Sequence, residues 1–301
     1  MTSLDALFAR PPRKAMAESP LLDYTRRMRF PMIAFAAFLC LTVVSPLLSG
    51  ADSSPTPKTS DWNGYEKLDF EVAGRPALLV KPKTAAPGHP WIWRTEFFGH
   101  EPQGDIALLG LGWHVAYLKV SDMYGAPPAI ELMTQFHDFL TKSYGLNPRA
   151  VLEGFSRGGL YAVNFAATHP DLTAALYLDA PVLDIRSWPG GKGAGKGDAH
   201  CWQQALELYG LTEETVKDFK GNPLDRLDPI AAAKIPILAI CGDADKVVPY
   251  PENSGILVAR YQKLGGHIDV ILKPGGDHHP HSLKDPQPIV DFLVKYAYGG
   301  S

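Results

Sequence analysis

A serine in a glycine-bounded turn is the first residue of this chain whose setting indicates chemistry. Ser156 is the centre of the pentapeptide Gly154–Gly158, G-F-S-R-G. An apolar segment, AVLEG, leads into it, and a segment of helical character, 159–168, follows. Between a strand and a helix, G-x-S-x-G forms a sharp, strained turn that lifts the serine hydroxyl above a sheet. A hydroxyl presented in this way attacks a carbonyl carbon once a neighbouring base removes its proton.

Candidate acids and bases lie further along the chain, each just after an apolar segment. Asp243 and Asp245 follow PILAIC, and His278, His279 and His281 follow IDVIL. Side chains that follow the carboxyl ends of parallel strands meet at one edge of the sheet. A histidine there can take the serine proton, and an acid can orient that histidine. Asp243 directly follows a glycine, so its side chain is expected to cap the turn.

Three motifs in this chain resemble those of the α/β-hydrolases, most closely the small esterases and prolyl-oligopeptidase-like hydrolases. The motifs are GFSRGG at 154–159, CGDADKVVP at 241–249 and GGDHHPHS at 275–282. The resemblance extends over residues 62–298. It implies an α/β-hydrolase fold and a serine hydrolase that forms an acyl-enzyme on Ser156 without a cofactor.

The resemblance also implies which acid and which histidine assist the serine. The family acid is the aspartate of G-x-x-D that stands before V-P, which here is Asp245. The family histidine usually follows Gly-x-Gly, whereas Asp277 replaces the second glycine in this chain. His278 fits the pattern best, and His279 and His281 remain alternatives.

Two backbone N–H groups are expected to stabilise the negative charge that develops on the attacked carbonyl oxygen. One belongs to Arg157, directly after the nucleophile. The other is expected in the loop RTEF that follows the apolar run Trp91–Trp93, where Glu96 is the candidate. The His-Gly signature that related enzymes carry in this loop is missing. Each such donor lowers the barrier by roughly 2.7–4 kcal/mol.

Three further residues are candidates for the wall of a substrate pocket. Asp122 and Tyr124 follow a predicted strand end, where a helix cap and a loop aromatic are the alternative interpretations. Trp188 can stack on a sugar ring or pack against the sheet. It belongs to residues 182–226, which interrupt the alternation of strands and helices and contain the glycine-rich run 190–197. This segment is predicted to be a cap over the carboxyl edge of the sheet.

Alternating apolar segments and helical periods predict how these residues are held. Tyr65–Val72 and Ala77–Val80 are predicted to form an antiparallel hairpin at a sheet edge. Unbroken apolar runs, typical of buried parallel strands, follow at 91–93, 115–120, 150–152, 174–178, 235–240 and 268–272. Helical periods lie at 128–144, 157–168, 227–234, 253–264 and 287–297. The sequence therefore predicts an α/β fold, a mostly parallel sheet with helices on both faces.

Composition and charge exclude several classes of protein. With 46% hydrophobic and 20% charged residues in 301, the chain is neither disordered, collagen-like nor built of heptads. Residues 52–301 carry 23 basic and 29 acidic groups without a basic run, so no nucleic-acid partner is expected. The three cysteines fit no zinc motif, and adjacent histidines are expected to point in different directions. No metal and no cofactor are therefore predicted.

Residues 1–51 are predicted to be an N-terminal extension and signal peptide. Three arginines precede an uncharged stretch of 22 residues, 30–51, that ends in small residues suited to cleavage. Translation is expected to start at Met28. The alternative is a membrane anchor, since the uncharged stretch is just long enough to span a bilayer. Residues 52–61 are predicted to be a linker, and the hydrolase domain is predicted at 62–301.

The expected function is that of an exported, periplasmic or extracellular serine hydrolase that cleaves a carboxylic ester, such as an acyl ester on a carbohydrate. One alternative is a prolyl-oligopeptidase-type peptidase, although such enzymes as a rule add a propeller domain. A second alternative is a non-catalytic binding protein on the same fold. The expected partners are a small-molecule or glycan-linked ester, and a membrane only through the N-terminal segment.

Overall fold

A nine-stranded sheet forms the centre of the structure, a computed structural model that describes residues 57–298. The strands are β1 (Lys58–Trp62), β2 (Tyr65–Val72), β3 (Arg75–Lys81), β4 (Trp91–Arg94), β5 (His114–Leu118), β6 (Ala150–Phe155), β7 (Thr173–Asp179), β8 (Ile237–Gly242) and β9 (Ile268–Lys273). The helices are α1 (Gln103–Gly110), α2 (Pro127–Tyr144), α3 (Gly158–Thr168), α4 (Ala199–Tyr209), α5 (Asp228–Ala232), α6 (Ser254–Lys263) and α7 (Gln287–Tyr296). The predicted signal peptide lies outside the described residues.

The strand order places the ends of the central strands side by side. It runs β1-β2-β3-β5-β4-β6-β7-β8-β9. The first three pairings are antiparallel, and the five from β5 to β9 are parallel. The predicted α/β fold with a mostly parallel sheet is therefore confirmed. Because β6, β7, β8 and β9 are neighbours, the loops that leave their carboxyl ends lie along one edge of the sheet.

Helices cover both faces of the sheet, which explains why its central strands are apolar on both sides. On one face, α2 and α3 pack over Trp91 and Trp93. On the other face, α1 and α7 pack over Ile92, with Leu108 and Leu293 buried among the strand residues. Within residues 57–298, no helix has the length and apolar character needed to cross a membrane.

The N-terminal edge of the sheet differs from the prediction. Residues 58–61 were expected in a linker, but they lie in β1, which pairs antiparallel with β2 from Lys58 opposite Asp69 to Trp62 opposite Tyr65. The prediction was wrong here because β1 is a largely exposed edge strand, so its sequence KTSDW lacks the apolar alternation of a half-buried strand. Trp62 is its anchor, with its ring 5.0 Å from that of Phe98.

Residues 182–226, predicted to be a cap, connect β7 to α5 and contain α4. Their apolar side chains belong to the main core, with Ile185, Ala205 and Leu224 all buried. The Glu252 carboxylate fixes the glycine-rich run by accepting a hydrogen bond from the Ala194 N–H. It also accepts one, at 2.6 Å, from the hydroxyl of Ser187, just before the run. The segment is therefore an integral layer of the domain.

Candidate active site

The turn that carries Ser156 joins β6 to α3. Ser156 has a φ of +49°, in the left-handed region that non-glycine residues rarely adopt. Glycines on both sides make the turn possible, because a Cβ on Gly154 would lie 3.0 Å from Gly158 and a Cβ on Gly158 would lie 3.1 Å from the Thr95 hydroxyl. The Ser156 N–H donates to the Asp179 carbonyl at 2.9 Å, which fixes the turn against the end of β7.

A chain of hydrogen bonds links Ser156 to two residues from other strand ends. His278 Nε2 lies 3.0 Å from Ser156 Oγ, and His278 Nδ1 lies 2.7 Å from Asp245 Oδ2. The other carboxylate oxygen, Asp245 Oδ1, accepts the N–H groups of Val247 and Val248, both at 2.8 Å. The carboxylate is thereby locked in one orientation, and His278 and Asp245 are both buried.

Asp277 connects the loop after β8 with the loop after β9. Its Oδ1 accepts the Lys246 N–H at 3.1 Å and the His278 N–H at 2.8 Å. The hydrogen bond from the Lys246 N–H, and after it that from the His278 N–H, lowers the pKa of the Asp277 carboxyl below its usual value. The loops also meet where a Cβ on Gly242 would lie 2.2 Å from the Gly276 carbonyl oxygen. The non-glycine residue that departs from the family pattern thus couples the loops of Asp245 and His278.

The remaining candidate acid and bases occupy different places. Asp243 Oδ1 accepts the Gly275 N–H at 2.6 Å, so it binds the turn after β9 and not, as expected, the turn in its own loop. His281 is buried, and its Nδ1 lies 2.9 Å from Asp179 Oδ1. His279 is exposed, and partial burial, followed by the imidazoles of His281 and His278, lowers its pKa. Only His278 among these histidines is hydrogen-bonded to Ser156.

The three histidines nevertheless converge. One ring nitrogen from each of His278, His279 and His281 lies within 4.8 Å of the other two. The expectation that adjacent histidines point in different directions is wrong, because the ring centroids of His278 and His279 are only 4.9 Å apart. His281 joins them because it turns back to bind Asp179, which brings its ring beside His278. The ring centroids of these two residues are 4.8 Å apart.

The loop after β4 is held against the serine turn by a buried guanidinium. Arg94 Nε donates to Asp105 at 2.9 Å, and its Nη2 donates to Glu153 at 3.0 Å. Its Nη1 donates to the carbonyls of His100 at 2.8 Å and Phe97 at 3.3 Å. Burial raises the pKa of Glu153 well above its usual value, against the lowering effect of Arg94. The ion cluster therefore positions residues 97–100.

Both predicted oxyanion donors lie beside the serine turn. Glu96 N would be 3.7 Å from a Cβ on Gly158, the second residue after Ser156. Among the backbone hydrogen bonds of the described residues, the N–H groups of Glu96 and Arg157 are not donors. The Glu96 side chain is buried, and burial raises its pKa despite the Arg157 guanidinium 3.7 Å away.

Asp122, Tyr124 and Trp188, which were predicted to line a substrate pocket, do not line the cavity that opens onto Ser156. Asp122 is exposed and pairs with the Arg157 guanidinium at 2.9 Å. Tyr124 is fully buried and donates its hydroxyl to Gln204, with its ring 6.3 Å from that of the half-buried Trp188. Trp188 packs against the hydrophobic core, which was one of the two interpretations of this residue.

A cavity of about 460 Å³ opens onto the serine hydroxyl. It is lined by Phe97, Phe98, His100, Ser156, His278, His279 and His281. A larger cavity of about 690 Å³ lies between α2, α3 and residues 209–226, and Ser156 does not contribute to its wall. The geometry therefore favours the smaller cavity as the place where an acyl group meets the serine.

Sequence reasoning missed three positioning residues. Arg94 and Asp179 end buried strands, and a charged residue in such a place was the available signal. The pairings of Arg94 with Glu153 and of Asp179 with His281 join residues 59 and 102 positions apart, so these pairings had no local pattern. Asp277 was noted as a departure from the family, yet its role as a hydrogen-bond acceptor for two loops was not inferred.

The fold and the site define a class of protein, the serine hydrolases of the α/β-hydrolase fold. The sequence profile of the prolyl oligopeptidase family matches residues 117–299, which is more than half of the chain. The chain belongs to the prolyl oligopeptidase family. The alternative of a non-catalytic binding protein is not supported by this membership. A comparison with curated protein sequences gave no match.

Solved structures with this fold include peptidases and a candidate lipase. An acylaminoacyl peptidase from Pyrococcus horikoshii matches 82% of this chain and 43% of its own, with 15% identity and a TM-score of 0.60. A puromycin-hydrolyzing peptidase from Mycobacterium tuberculosis matches 79% of this chain and 37% of its own, with 17% identity and a TM-score of 0.55. The candidate lipase, from Acinetobacter baumannii AYE, matches 77% of this chain and 92% of its own, with 16% identity and a TM-score of 0.53. This chain thus spans about two fifths of the two peptidases, and the likeness concerns the fold alone.

Proposed function

We propose that Ser156, His278 and Asp245 form the catalytic triad of a carboxylic ester hydrolase. The observation that carries this proposal is the unbroken chain from Ser156 Oγ to His278 Nε2, 3.0 Å, and from His278 Nδ1 to Asp245 Oδ2, 2.7 Å. The carboxylate keeps a proton on Nδ1, so Nε2 is free to accept the serine proton. No cofactor takes part in this mechanism.

The reaction runs in two halves through an acyl-enzyme. Ser156 Oγ attacks the ester carbonyl while its proton passes to His278 Nε2, and His278 then protonates the departing alcohol oxygen. Water next gives a proton to His278 and attacks the acyl-enzyme, and His278 returns this proton to Ser156 Oγ as the acid leaves. The N–H groups of Arg157 and Glu96 donate to the oxyanion in each half, and each contributes roughly 2.7–4 kcal/mol to the transition state.

The lining of the cavity supports an ester in preference to a peptide substrate. Phe97 and Phe98 give it an apolar wall, and its ionisable side chains among the described residues are histidines. Such a wall suits an uncharged acyl group and offers no carboxylate for the amino terminus of a peptide. The proposed substrate is a small or glycan-linked ester. The candidate lipase, which shares the fold over nearly its whole length, is consistent with this choice.

A peptidase is the second candidate function, and family membership together with the two peptidase structures favours it. The test compares chromogenic esters and anilides that carry the same acyl group. We expect turnover of acetyl, butyryl or feruloyl esters and no turnover of aminoacyl or prolyl anilides. Efficient hydrolysis of an aminoacyl anilide would refute the proposal of an esterase and support that of a peptidase.

A fluorophosphonate probe tests the nucleophile separately from the substrate. The probe should label the wild-type protein, and Ser156→Ala should abolish labelling while the circular dichroism spectrum stays unchanged. A threonine-to-alanine change at an exposed position, Thr212→Ala, is the matched hydroxyl control and should retain full labelling. Labelling that persists in Ser156→Ala would place the nucleophile elsewhere.

We also propose that the enzyme is exported by residues 1–51, with cleavage after Ala51. The proposal depends on the arginines, the uncharged stretch and the small residues in the sequence. N-terminal sequencing of protein from the expressing cell tests it. Mature protein that begins at residue 52 supports export and cleavage, whereas intact protein that remains with the membrane would support an anchor at 30–51.

A further inference from the structure

Three imidazoles share one wall of the cavity beside Ser156. One nitrogen from each of His278, His279 and His281 lies within 4.8 Å of the others, and the ring centroids are 4.7–4.9 Å apart. All three residues line the same cavity. His279 is exposed, so a solvated ion has access to the cluster.

Two of these imidazoles are held by buried carboxylates. His278 Nδ1 lies 2.7 Å from Asp245, and His281 Nδ1 lies 2.9 Å from Asp179. A histidine that donates its Nδ1 proton to a carboxylate presents an Nε2 lone pair, and this arrangement accompanies nearly all metal-binding histidines. In the proposed ester hydrolysis, His278 and Asp245 take part in the proton transfer, whereas His281 and Asp179 do not.

We propose that His278, His279 and His281 bind one zinc ion, or a similar divalent transition metal, and that this ion reversibly inhibits the enzyme. Three neutral imidazoles with one open position are a donor set that zinc takes in proteins. Zinc bound to His278 Nε2 occupies the lone pair that would accept the Ser156 proton. The inhibition thus rests on the proposed function, whereas the binding does not.

The ligand distances are compatible with zinc after small movements. Zinc–nitrogen bonds of about 2.0–2.1 Å in a tetrahedron place ligand nitrogens roughly 3.4 Å apart. The observed limit of 4.8 Å requires the rings to close by about 1.4 Å at most. The exposed ring of His279 is free to supply most of this movement, because it makes no hydrogen bond to the described residues. The carboxylates meanwhile hold the rings of His278 and His281.

Binding is tested first, and without reference to activity. Calorimetric titration of the full-length protein with zinc chloride should show one site per chain. His279→Ala should weaken this binding at least tenfold, and Asp179→Asn should weaken it roughly 10-fold to 100-fold by releasing His281. His267→Ala is the matched control, since His267 is an exposed histidine that also lies beside an aspartate, Asp269, at 3.4 Å.

Inhibition is then measured on each variant relative to its own rate without metal. Zinc should inhibit the wild type and His267→Ala equally, and His279→Ala should need at least tenfold more zinc. Absence of a zinc site in the wild type, or equal affinity in His279→Ala and wild type, would overturn the proposal. The two proposals can fail separately. If zinc binding depends on His279 but fluorophosphonate labelling survives Ser156→Ala, the metal site stands and the triad is refuted. Binding without inhibition would refute the inhibitory role.

Discussion

Replacement of Asp245 by asparagine gives a sharp test, because the structure dictates how the amide must turn. Two N–H groups, from Val247 and Val248, point at Asp245 Oδ1 at 2.8 Å. In Asp245→Asn they select the amide oxygen, which places the NH₂ group opposite His278 Nδ1 at the 2.7 Å position. Two donors cannot face each other there. His278 is therefore forced to accept at Nδ1 and to carry its proton on Nε2.

The consequence for catalysis follows from the 3.0 Å contact between His278 Nε2 and Ser156 Oγ. With a proton on Nε2, this nitrogen donates to the serine and has no lone pair for the serine proton. A triad with the wrong tautomer loses about 10⁴-fold in kcat. That loss corresponds to about 5 kcal/mol of transition-state stabilisation. The geometry of the site is otherwise preserved, so the melting temperature should change little.

The assay combines initial rates on a chromogenic ester with the rate of fluorophosphonate labelling. Asp243→Asn is the matched control, because its amide oxygen can still accept the Gly275 N–H and its kcat should stay within about threefold of wild type. If folded Asp245→Asn retains more than a tenth of the wild-type kcat, the assignment of Asp245 is refuted. Equal losses in both variants would attribute the effect to the loop and not to the tautomer.

Three further predictions concern loop position and stability. Asp277→Ala removes the acceptor shared by the N–H groups of Lys246 and His278, and steady-state kinetics should show kcat reduced by up to about 10²-fold, whereas Asp277→Asn should restore most of it. His281→Ala leaves the buried Asp179 without its main partner, so urea denaturation should show the free energy of unfolding reduced by about 3 kcal/mol. The exposed His279→Ala should reduce it by less than about 0.5 kcal/mol, and an equally small effect of His281→Ala would contradict the prediction. Burial lowers the pKa of His114 to about 4, so below pH 6.5 the unfolded chain takes up a proton that the folded protein does not. Stability should therefore fall by up to about 3 kcal/mol between pH 6.5 and 4, and His114→Asn should remove this component from the pH dependence of urea denaturation.

The alternation of strands and helices and the residues that follow the central strands were predictable because both have local signals. The apolar runs predicted the parallel strands, although the edge strand β9 leaves Val270 and Leu272 exposed. Ser156, Asp245 and His278 each stand a few residues after the end of such a run. The G-x-S-x-G pentapeptide also has a local signal, because the turn needs a positive φ at Ser156 and glycines where neighbouring backbone packs closely. These features require no knowledge of distant contacts, so the alternation of strand and helix was sufficient to bring them to one edge.

Other features depend on partners that no local pattern connects. Asp179 and His281 are 102 positions apart, and their pairing arises only from the neighbourhood of β7 and the loop after β9. β1 lacked a signal because its pairing satisfies backbone groups at an exposed edge and buries little apolar surface. Trp188 was ambiguous for a related reason, because an indole has the same sequence signature whether it packs in the core or faces a ligand.

The end of β7 fixes the position of the nucleophile relative to the base. The Asp179 carbonyl accepts the Ser156 N–H at 2.9 Å, and the Asp179 carboxylate accepts the Ser282 N–H at 2.8 Å and holds His281. One buried residue therefore binds the serine turn with its backbone and the histidine loop with its side chain. His278 lies in that loop, three residues before His281, so its 3.0 Å contact with Ser156 depends on a clamp that touches neither reacting atom. The same clamp aligns His281 beside His278, and for this reason the geometry that serves proton transfer also assembles the donors proposed for zinc.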